Sequence, residues 1–301
     1  MKKQKSVLVT GCAGFIGSNF TCELKKEFPH LTVVGIDDFS SGRKSLVGKD
    51  IEFFEGSVTD TVLLRRIFEK YRPEYVFHFA AMPRVSFSIE FPLATAGANI
   101  LGTVALLEKC RDYKAKRFIF SSSSSVYGGA KKLPTREAEN PPHPVSPYAL
   151  QKYTAEQFCK MFSEFFGLDT VSLRYFNVYG PNQYGDSAYA TVISAWLENM
   201  YFPKGRKPFL EGDGKQSRDF CYVGDVVRAN ILAMQAKKKL GGEALNIAAG
   251  KPATIVEVKK LLEKITGRKL NLQKRPPRPG DVRHTYADLS NARAFLGFRP
   301  S

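Results

Sequence analysis

The 301-residue chain has no apolar run approaching the roughly 20 residues that a membrane-spanning helix needs, and it reads as a soluble globular protein. Its five cysteines (Cys12, Cys22, Cys110, Cys159, Cys221) are odd in number, widely spread and never in a C-x-x-C pair. That argues against a disulfide framework and fits a reducing, cytoplasmic setting. The four histidines (His30, His78, His143, His284) stand alone, so no metal-ligand cluster is expected. Acidic residues are scarce: 29 against 45 Lys and Arg, a net charge of +16. The basic residues are scattered, with short clusters at 2–5, 237–239 and 274–278, and no basic stripe interleaved with aromatics appears. The charge therefore reads as a solvated surface that attracts anions, and no nucleic-acid partner is expected. Internal repeats are lacking too.

What is present begins at Ser6-Val-Leu-Val-Thr10, a short apolar run that ends in Gly11-Cys-Ala-Gly14-Phe-Ile-Gly17 and passes into a helical pattern to Phe28. After residues 2–5 this run superficially resembles a secretory leader, but the glycines explain it better. Strand, glycine turn and helix, in that order, let a backbone approach a pyrophosphate at a helix N-terminus. A second strand, Leu31 to Ile36, ends at Asp37, placed to accept from an adenosine ribose hydroxyl. A carboxylate there repels a 2′-phosphate, so NAD is favoured over NADP, with Arg43 and Lys44 downstream keeping the second cofactor open.

The alternation continues with strands at 51–54, 75–79 and 117–120 and helices at 60–70 and 91–111, the latter around Asn99. Strands alternating with helices imply an α/β fold with a parallel sheet, right-handed crossovers and ligands at the carboxyl ends of the strands. Ala80 and Ala81 are small enough to lie against a cofactor. Five serines, Ser121 to Ser125, follow the fifth strand, where hydroxyls would project into the crevice. A proline-rich loop, residues 141–147, then delivers the chain to Tyr148-Ala-Leu-Gln-Lys152, with Pro147 where a helix start accepts it. Tyr148 and Lys152 are four apart and share one helix face. A phenol with a pKa of about 10 needs roughly 4 kcal/mol in favour of the phenolate to act near neutrality. One ammonium at about 5 Å supplies about 3 kcal/mol of that, and a second cation such as an oxidised nicotinamide supplies the rest.

A sixth strand, 169–177, ends at Asn177, after which turns multiply. Helices are expected at 188–200, 225–236 and 254–266, and a strand at 244–248. Arg218 and Arg278 lie on loops of this half and are candidates for gripping a diphosphate. The chain divides into residues 1–177, cofactor-binding, and 178–301, mainly a substrate-binding lobe interleaved with the sheet.

Taken together, residues 10–17, Asp37, 78–81, the serines before Val126-Tyr127-Gly128, 146–152, 173–181, 212–220 and 278–281 resemble the extended short-chain dehydrogenase/reductases, and within them the nucleotide-sugar 4-epimerases, over essentially all of the chain. The resemblance implies a Rossmann-type doubly wound sheet, a tightly held NAD, a UDP-sugar substrate, a homodimer formed around Asn99 and Tyr148, and no membrane partner. It implies that Tyr148 takes the 4-OH proton while the C4 hydride passes to NAD, that Lys152 holds the ribose and lowers the pKa of Tyr148, and that Ser123 bonds the reacting oxygen. Cofactor contacts are implied at Gly11, Gly14, Phe15, Ile16, Gly17, Asp37, Asp38, Ser40, Gly42, Ser57, Val58, Phe79, Ala80, Ala81, Asn99, Tyr148, Lys152 and Tyr175. Substrate contacts are implied at Ser86, Ser123, Ser124, Ser125, Asn177, Arg218, Arg278, Asp281 and Thr285.

The serines stand where 4,6-dehydratases of the family carry a Thr-Asp-Glu acid group. Uronate epimerases usually show Thr in place of Asn177 and an Arg near Tyr184. Thr285 matches a gate where a Tyr restricts some members to plain hexoses. The resemblance therefore favours UDP-N-acetylglucosamine and UDP-N-acetylgalactosamine, with UDP-glucose and UDP-galactose also accepted. A UDP-glucuronate 4-epimerase and a non-catalytic NAD-binding interaction protein are the alternatives, the intact Tyr148 and Lys152 weighing against the latter. Ser57 departs from the family's adenine-binding Asp. Relatives usually run past the equivalent of Ser301 into a final helix, so either part of the lobe is unsupported or the chain is truncated.

Overall fold

The computed structural model describes residues 5–185, 191–202, 207–276 and 282–301. Strands β1 (Ser6–Thr10), β2 (Thr32–Asp37), β3 (Glu52–Glu55), β4 (Tyr75–His78), β5 (Arg117–Ser123) and β6 (Asp169–Tyr175) alternate with helices α1 (Phe15–Glu27), α2 (Thr61–Tyr71), α3 (Val85–Glu90), α4 (Pro92–Ala96), α5 (Gly102–Asp112) and α6 (Pro147–Phe166). Beyond Asn177 come β7 (Val178–Tyr179), α7 (Val192–Tyr201), β8 (Phe209–Glu211), β9 (Ser217–Asp219), β10 (Cys221–Tyr222), α8 (Val223–Gln235), β11 (Glu243–Ile247), β12 (Pro252–Thr254), α9 (Ile255–Thr266), β13 (Gln273–Arg275) and α10 (Ser290–Leu296).

Seven strands form one sheet in the order β11-β6-β5-β4-β1-β2-β3, parallel throughout. Successive side chains leave a strand on opposite faces, so a sheet covered on both sides favours apolar residues at successive positions and requires partners for the polar ones it buries. Val7 and Val9 pack with Phe20, Leu24 and Val226 on the face of α1 and α8; Leu8 packs with Leu64, Phe68 and Leu106 on the face of α2 and α5. Each fully buried side chain of this size stabilises the fold by about 1.5–3 kcal/mol. A third, smaller core, around Trp196, Ile255 and Leu262, lies between α7 and α9.

Local chemistry sets the boundaries. Asp60 caps α2 by accepting from the amides of Val62 and Leu63. Ser146 caps α6 by accepting from Ala149, with Pro147 in the first helical position and Gly167 at φ 68° ending the helix. Thr254 and Glu257 form a reciprocal capping box on α9. The expected helix over 91–111 is instead α4, a π-turn at Gly97–Leu101, and α5. Asn99 within that wider turn is 1% exposed and bonds both the amide and the carbonyl of Met82.

Strand β11 comes from the C-terminal half yet pairs with β6 at the sheet edge. A buried ion pair ties down this corner: Arg117 Nε donates to Asp169 at 2.7 Å, and the other Asp169 oxygen accepts from the amides of Leu240 and Gly241. Among the described residues the other strands of that half form three two-stranded sheets, β7 with β10, β9 with β12, and β8 with β13.

Candidate active site

The carboxyl ends of β1, β2, β4, β5 and β6 open into a cleft of about 800 Å³. At one end Gly11, at φ 68°, sits so close to the next strand that a Cβ would lie 2.6 Å from the amide nitrogen of Ala80. A Cβ on Gly17 would lie 2.0 Å from the Gly11 carbonyl. Both positions therefore demand glycine. The turn brings the first-turn amides of α1, at Phe15 and Ile16, to the cleft wall, where helix geometry leaves them without intrahelical acceptors. Asp37 accepts from Ala13 at 2.9 Å on one oxygen and from Phe39 at 2.9 Å on the other. Burial pushes its carboxyl above the ordinary range, and the two amides work against that. Each oxygen retains a lone pair for a diol. A cradle that any side chain would fill, a helix N-terminus and a carboxylate at the end of β2 suit a dinucleotide. Lys44 pairs with Glu55 at 3.2 Å, so a 2′-phosphate would compete with that carboxylate for this cation.

The floor is fixed by a directed chain of hydrogen bonds. The amide of Ala80 donates to Thr10 Oγ1 at 3.1 Å, and Thr10 Oγ1 meets His78 Nδ1 at 2.7 Å. His78 Nε2 lies 3.0 Å from Thr103 Oγ1, whose own proton goes to the Asn99 carbonyl. Thr103 must then accept, so Nε2 carries the imidazole proton and Thr10 donates to Nδ1. Burial, reinforced by Lys152, drives the pKa of His78 down to about 3 and keeps the ring neutral. From Asn99 the chain reaches Gln151 Oε1, between Tyr148 and Lys152 on α6.

At the centre Ser123, Ser124, Ser125 and Tyr148 face the cleft. Lys152, 3% exposed, lies behind them, donating to the Ser121 carbonyl at 2.8 Å with its ammonium 6.0 Å from the Tyr148 ring. Burial drives Tyr148 up to about 12, opposed by its hydrogen bond with Ser123, and drives Lys152 down to about 8. The protein alone thus holds Tyr148 as a phenol, because desolvation outweighs the hydrogen bond with Ser123. The Ser125 hydroxyl, buried at the cleft wall, has no partner. Beneath, Arg174 bonds both oxygens of Glu156 at 2.9 and 2.7 Å and the Tyr127 hydroxyl at 2.8 Å, while Ser122 donates to Glu156.

On the opposite wall Thr285 Oγ1 accepts from the amides of Asp219 at 3.0 Å and Asn177 at 3.2 Å. Arg218 reaches the cleft while donating to the carbonyl of Ser217 at 2.9 Å.

Gly11, Gly14, Phe15, Ile16, Gly17, Asp37, Asp38, Ser40, Ser57, Val58, Phe79, Ala80, Ala81, Tyr148 and Tyr175 line this one cleft, as do Ser123 to Ser125, Asn177, Arg218 and Thr285. Gly42, Asn99 and Lys152 stand one layer behind the lining. Gly42 backs Asp37, since a Cβ there would come 2.8 Å from its carboxylate. Ser86 is exposed on α3 and outside the lining. The Ser57 hydroxyl is engaged by Thr59 within its own turn, leaving Val58 beside it at the wall. Arg278 and Asp281 lie outside the described residues. Sequence reasoning missed Glu156 and Arg174, which fall one helical turn past Lys152 and three residues before Asn177, and it gave His78 no role.

Residues 7–248 match the model of the NAD dependent epimerase/dehydratase family, and the chain belongs to that family. With its relatives it is an NAD-dependent isomerase of the extended short-chain dehydrogenase/reductase type. The UDP-glucose 4-epimerase of Thermotoga maritima, solved with UDP-glucose, is 41% identical, with a TM-score of 0.92 over 98% of this chain and 94% of that one. The UDP-N-acetylglucosamine 4-epimerase of Methanobrevibacter ruminantium, solved with UDP-N-acetylmuramic acid, is 36% identical, with a TM-score of 0.90 over 99% and 94%. The UDP-glucuronic acid 4-epimerase of Bacillus cereus, solved with UDP-glucuronic acid and NAD, is 34% identical, with a TM-score of 0.86 over 98% and 94%.

Proposed function

We propose that the chain interconverts UDP-N-acetylglucosamine and UDP-N-acetylgalactosamine, and with them UDP-glucose and UDP-galactose, by epimerisation at C4 through a 4-keto sugar. The observation that carries this reading is the meeting of Ser123 and Tyr148 with Asp37 and the glycine turn in one cleft whose far wall holds Thr285. Bound NAD supplies the acceptor for the C4 hydride and a positive charge beside Tyr148. Tyr148, raised to about 12 by burial, takes the 4-OH proton only once that charge is present. Ser123 holds the reacting oxygen, and Lys152 fixes the carboxyl end of β5 through Ser121 and stands ready for the ribose. The 4-keto sugar turns over in the pocket, and Tyr148 returns the proton as the hydride comes back to the other face. Asn177, Arg218 and, beyond the described residues, Arg278 and Asp281 hold the UDP-sugar, with residues 1–177 serving the cofactor and 178–301 the substrate.

Thr285 leaves room for a 2-acetamido group, and Asn177 stands where uronate epimerases usually carry Thr, which supports the acetylated pair. Incubation with UDP-N-acetylglucosamine, UDP-glucose and UDP-glucuronate in separate arms, followed by NMR, tests this. Conversion of the first is expected, exclusive conversion of the third reassigns the substrate, and no conversion of any with NAD present sinks the proposal.

The reading extends to a cytoplasmic homodimer. Unpaired Cys12, Cys22, Cys110, Cys159 and Cys221 support the compartment, and no helix among the described residues is long and apolar enough to cross a membrane. Ile89, Leu93, Leu101, Leu150 and Phe165 are exposed on and beside α3, α4 and α6, Leu93 by 87%, which supports a second copy covering them. Sedimentation showing a monomer at micromolar concentration overturns that part alone.

A further inference from the structure

The chain crosses the open edge of the cleft at residues 181–185. Asn19, on α1, donates to the Pro181 carbonyl at 2.9 Å, and Asn182 donates to the Ser18 hydroxyl at 3.3 Å. Gln183 stitches the crossing to itself by donating to the Val178 carbonyl at 2.9 Å. Two residues past Asn182, Tyr184 presents its ring to Arg43, whose guanidinium carbon stands 3.4 Å from the ring centroid. Arg43 arrives from the other side, from the loop after β2. Its amide donates to the Ala13 carbonyl at 3.0 Å, and the amide of that same Ala13 donates to Asp37. Arg43 and Tyr184 both line the cleft, one from the half that carries the glycine turn and the other from the half that follows Asn177. Their stack therefore spans the cleft beside Asp37, where the adenosine end of a dinucleotide lies.

We propose that the Arg43–Tyr184 stack is a clasp that holds NAD in the cleft both during and between turnovers. The proposal rests on the C4-epimerase reading for its purpose. A redox-neutral isomerisation takes a hydride and gives it back within one site, so the dinucleotide must outlast the sugar; escape between the two half-reactions would strand a 4-keto sugar. A guanidinium over a tyrosine face serves this well, because the charge keeps its water on one side while the planes exclude it on the other. Since the contact joins two separate segments, loss of either partner opens the clasp, and loss of the second adds nothing.

The test measures release of bound dinucleotide from wild type, Arg43→Ala, Tyr184→Leu, Tyr184→Phe and the Arg43→Ala/Tyr184→Leu double variant, by chasing with an excess of labelled NAD. Expected are release rates about 5- to 30-fold faster for each single variant, the same rate within error for the double, and near wild-type release for Tyr184→Phe, which keeps the ring face. Both side chains are surface-exposed, so unchanged thermal unfolding of the NAD-free proteins is expected and confirms folding. Wild-type release rates in Tyr184→Leu, equal loosening by Tyr184→Phe, or additive effects in the double variant would each overturn the clasp. The last two mean, respectively, a hydroxyl contact and independent contacts of each residue with the cofactor. The wild-type NMR assay separates this from the epimerase reading, since release rates are read without any sugar.

Discussion

The wall of the cleft that carries Asp37, Ala80 and Ser123 is the end of a seven-stranded parallel sheet, whereas the wall that carries Asn177, Arg218 and Thr285 is held by pairs of strands two or three residues long. On the first wall each functional group is backed by buried, mutually satisfied partners: Thr10, His78 and Thr103 are all 0% exposed, and Glu156 is 3% exposed. On the second, one group is anchored in this way, since Asp219 is 0% exposed and its carboxylate accepts from the amides of Ala249, Gly250 and Ala287, while other bonds, such as Ser217 to His284, lie near the surface. A buried network tolerates few changes because each orphaned group pays a full desolvation penalty. A wall of short ribbons can be altered residue by residue. On the proposed function the rigid wall would carry the hydride and proton chemistry and the adjustable one would face the sugar, in keeping with relatives of one fold whose names carry different UDP-sugars.

That contrast can be broken at its strongest point first. Arg174→Ala leaves Glu156 buried without its counter-charge and should lower the free energy of unfolding by about 3–5 kcal/mol in urea titrations. The Arg174→Met/Glu156→Met double variant should recover most of that, and a single variant of wild-type stability would remove the buried pair from the account. Tyr148→Phe should keep NAD bound, measured by mass after denaturation, while turnover on every accepted sugar falls by at least about 10²-fold; near-normal turnover refutes the assigned role. On the other wall Thr285→Tyr should reduce kcat/KM for the acetylated sugars roughly 10-fold or more relative to the plain hexoses. Equal loss on both would show that residue 285 supports the wall without sorting sugars.

The smallest effect is a pH dependence. Lys152 titrates at about 8 in the fold against about 10.4 in an unfolded chain. Between those values the unfolded state binds more protons, so this residue's contribution to stability rises with pH. The difference in unfolding free energy between wild type and Lys152→Met should therefore shift in favour of wild type by on the order of 1 kcal/mol from pH 8 to pH 9. A flat difference would show that the ammonium is not desolvated.

The first wall was legible because its signals are local. Gly11 to Gly17 between a strand and a helix, Asp37 at the end of the next strand, and Ser146-Pro147 ahead of Tyr148 each dictate a conformation within a few residues, and β1 to β6 fall within a few residues of their expected places. On the second wall Asn177, Arg218 and Thr285 were named as substrate contacts through the resemblance, but the strands that hold them were not legible, since β8 pairs with β13 and β9 with β12 across long stretches of chain and strands of three residues carry no periodicity. The π-turn at Gly97–Leu101 was also hidden, because the inward turn of Asn99 answers to Met82 and Gln151, not to its sequence neighbours. Likewise the spacing of Tyr148 and Lys152 suggested a cation close to the phenol, but burial, which spacing cannot express, governs the titration of both.

The pairing of β11 with β6 has a consequence in time. As the chain leaves the ribosome, β6 ends at Tyr175 and its neighbour does not begin until Glu243. Throughout that interval β6 presents an open edge of unpaired N–H and C=O groups of the kind that recruits other strands. The nascent chain is most exposed to aggregation while the substrate lobe is being made, and closure of the edge waits for a contact distant in sequence, which slows folding. Chaperone dependence should therefore peak for chains stalled between residues 175 and 243 and fall once β11 has emerged.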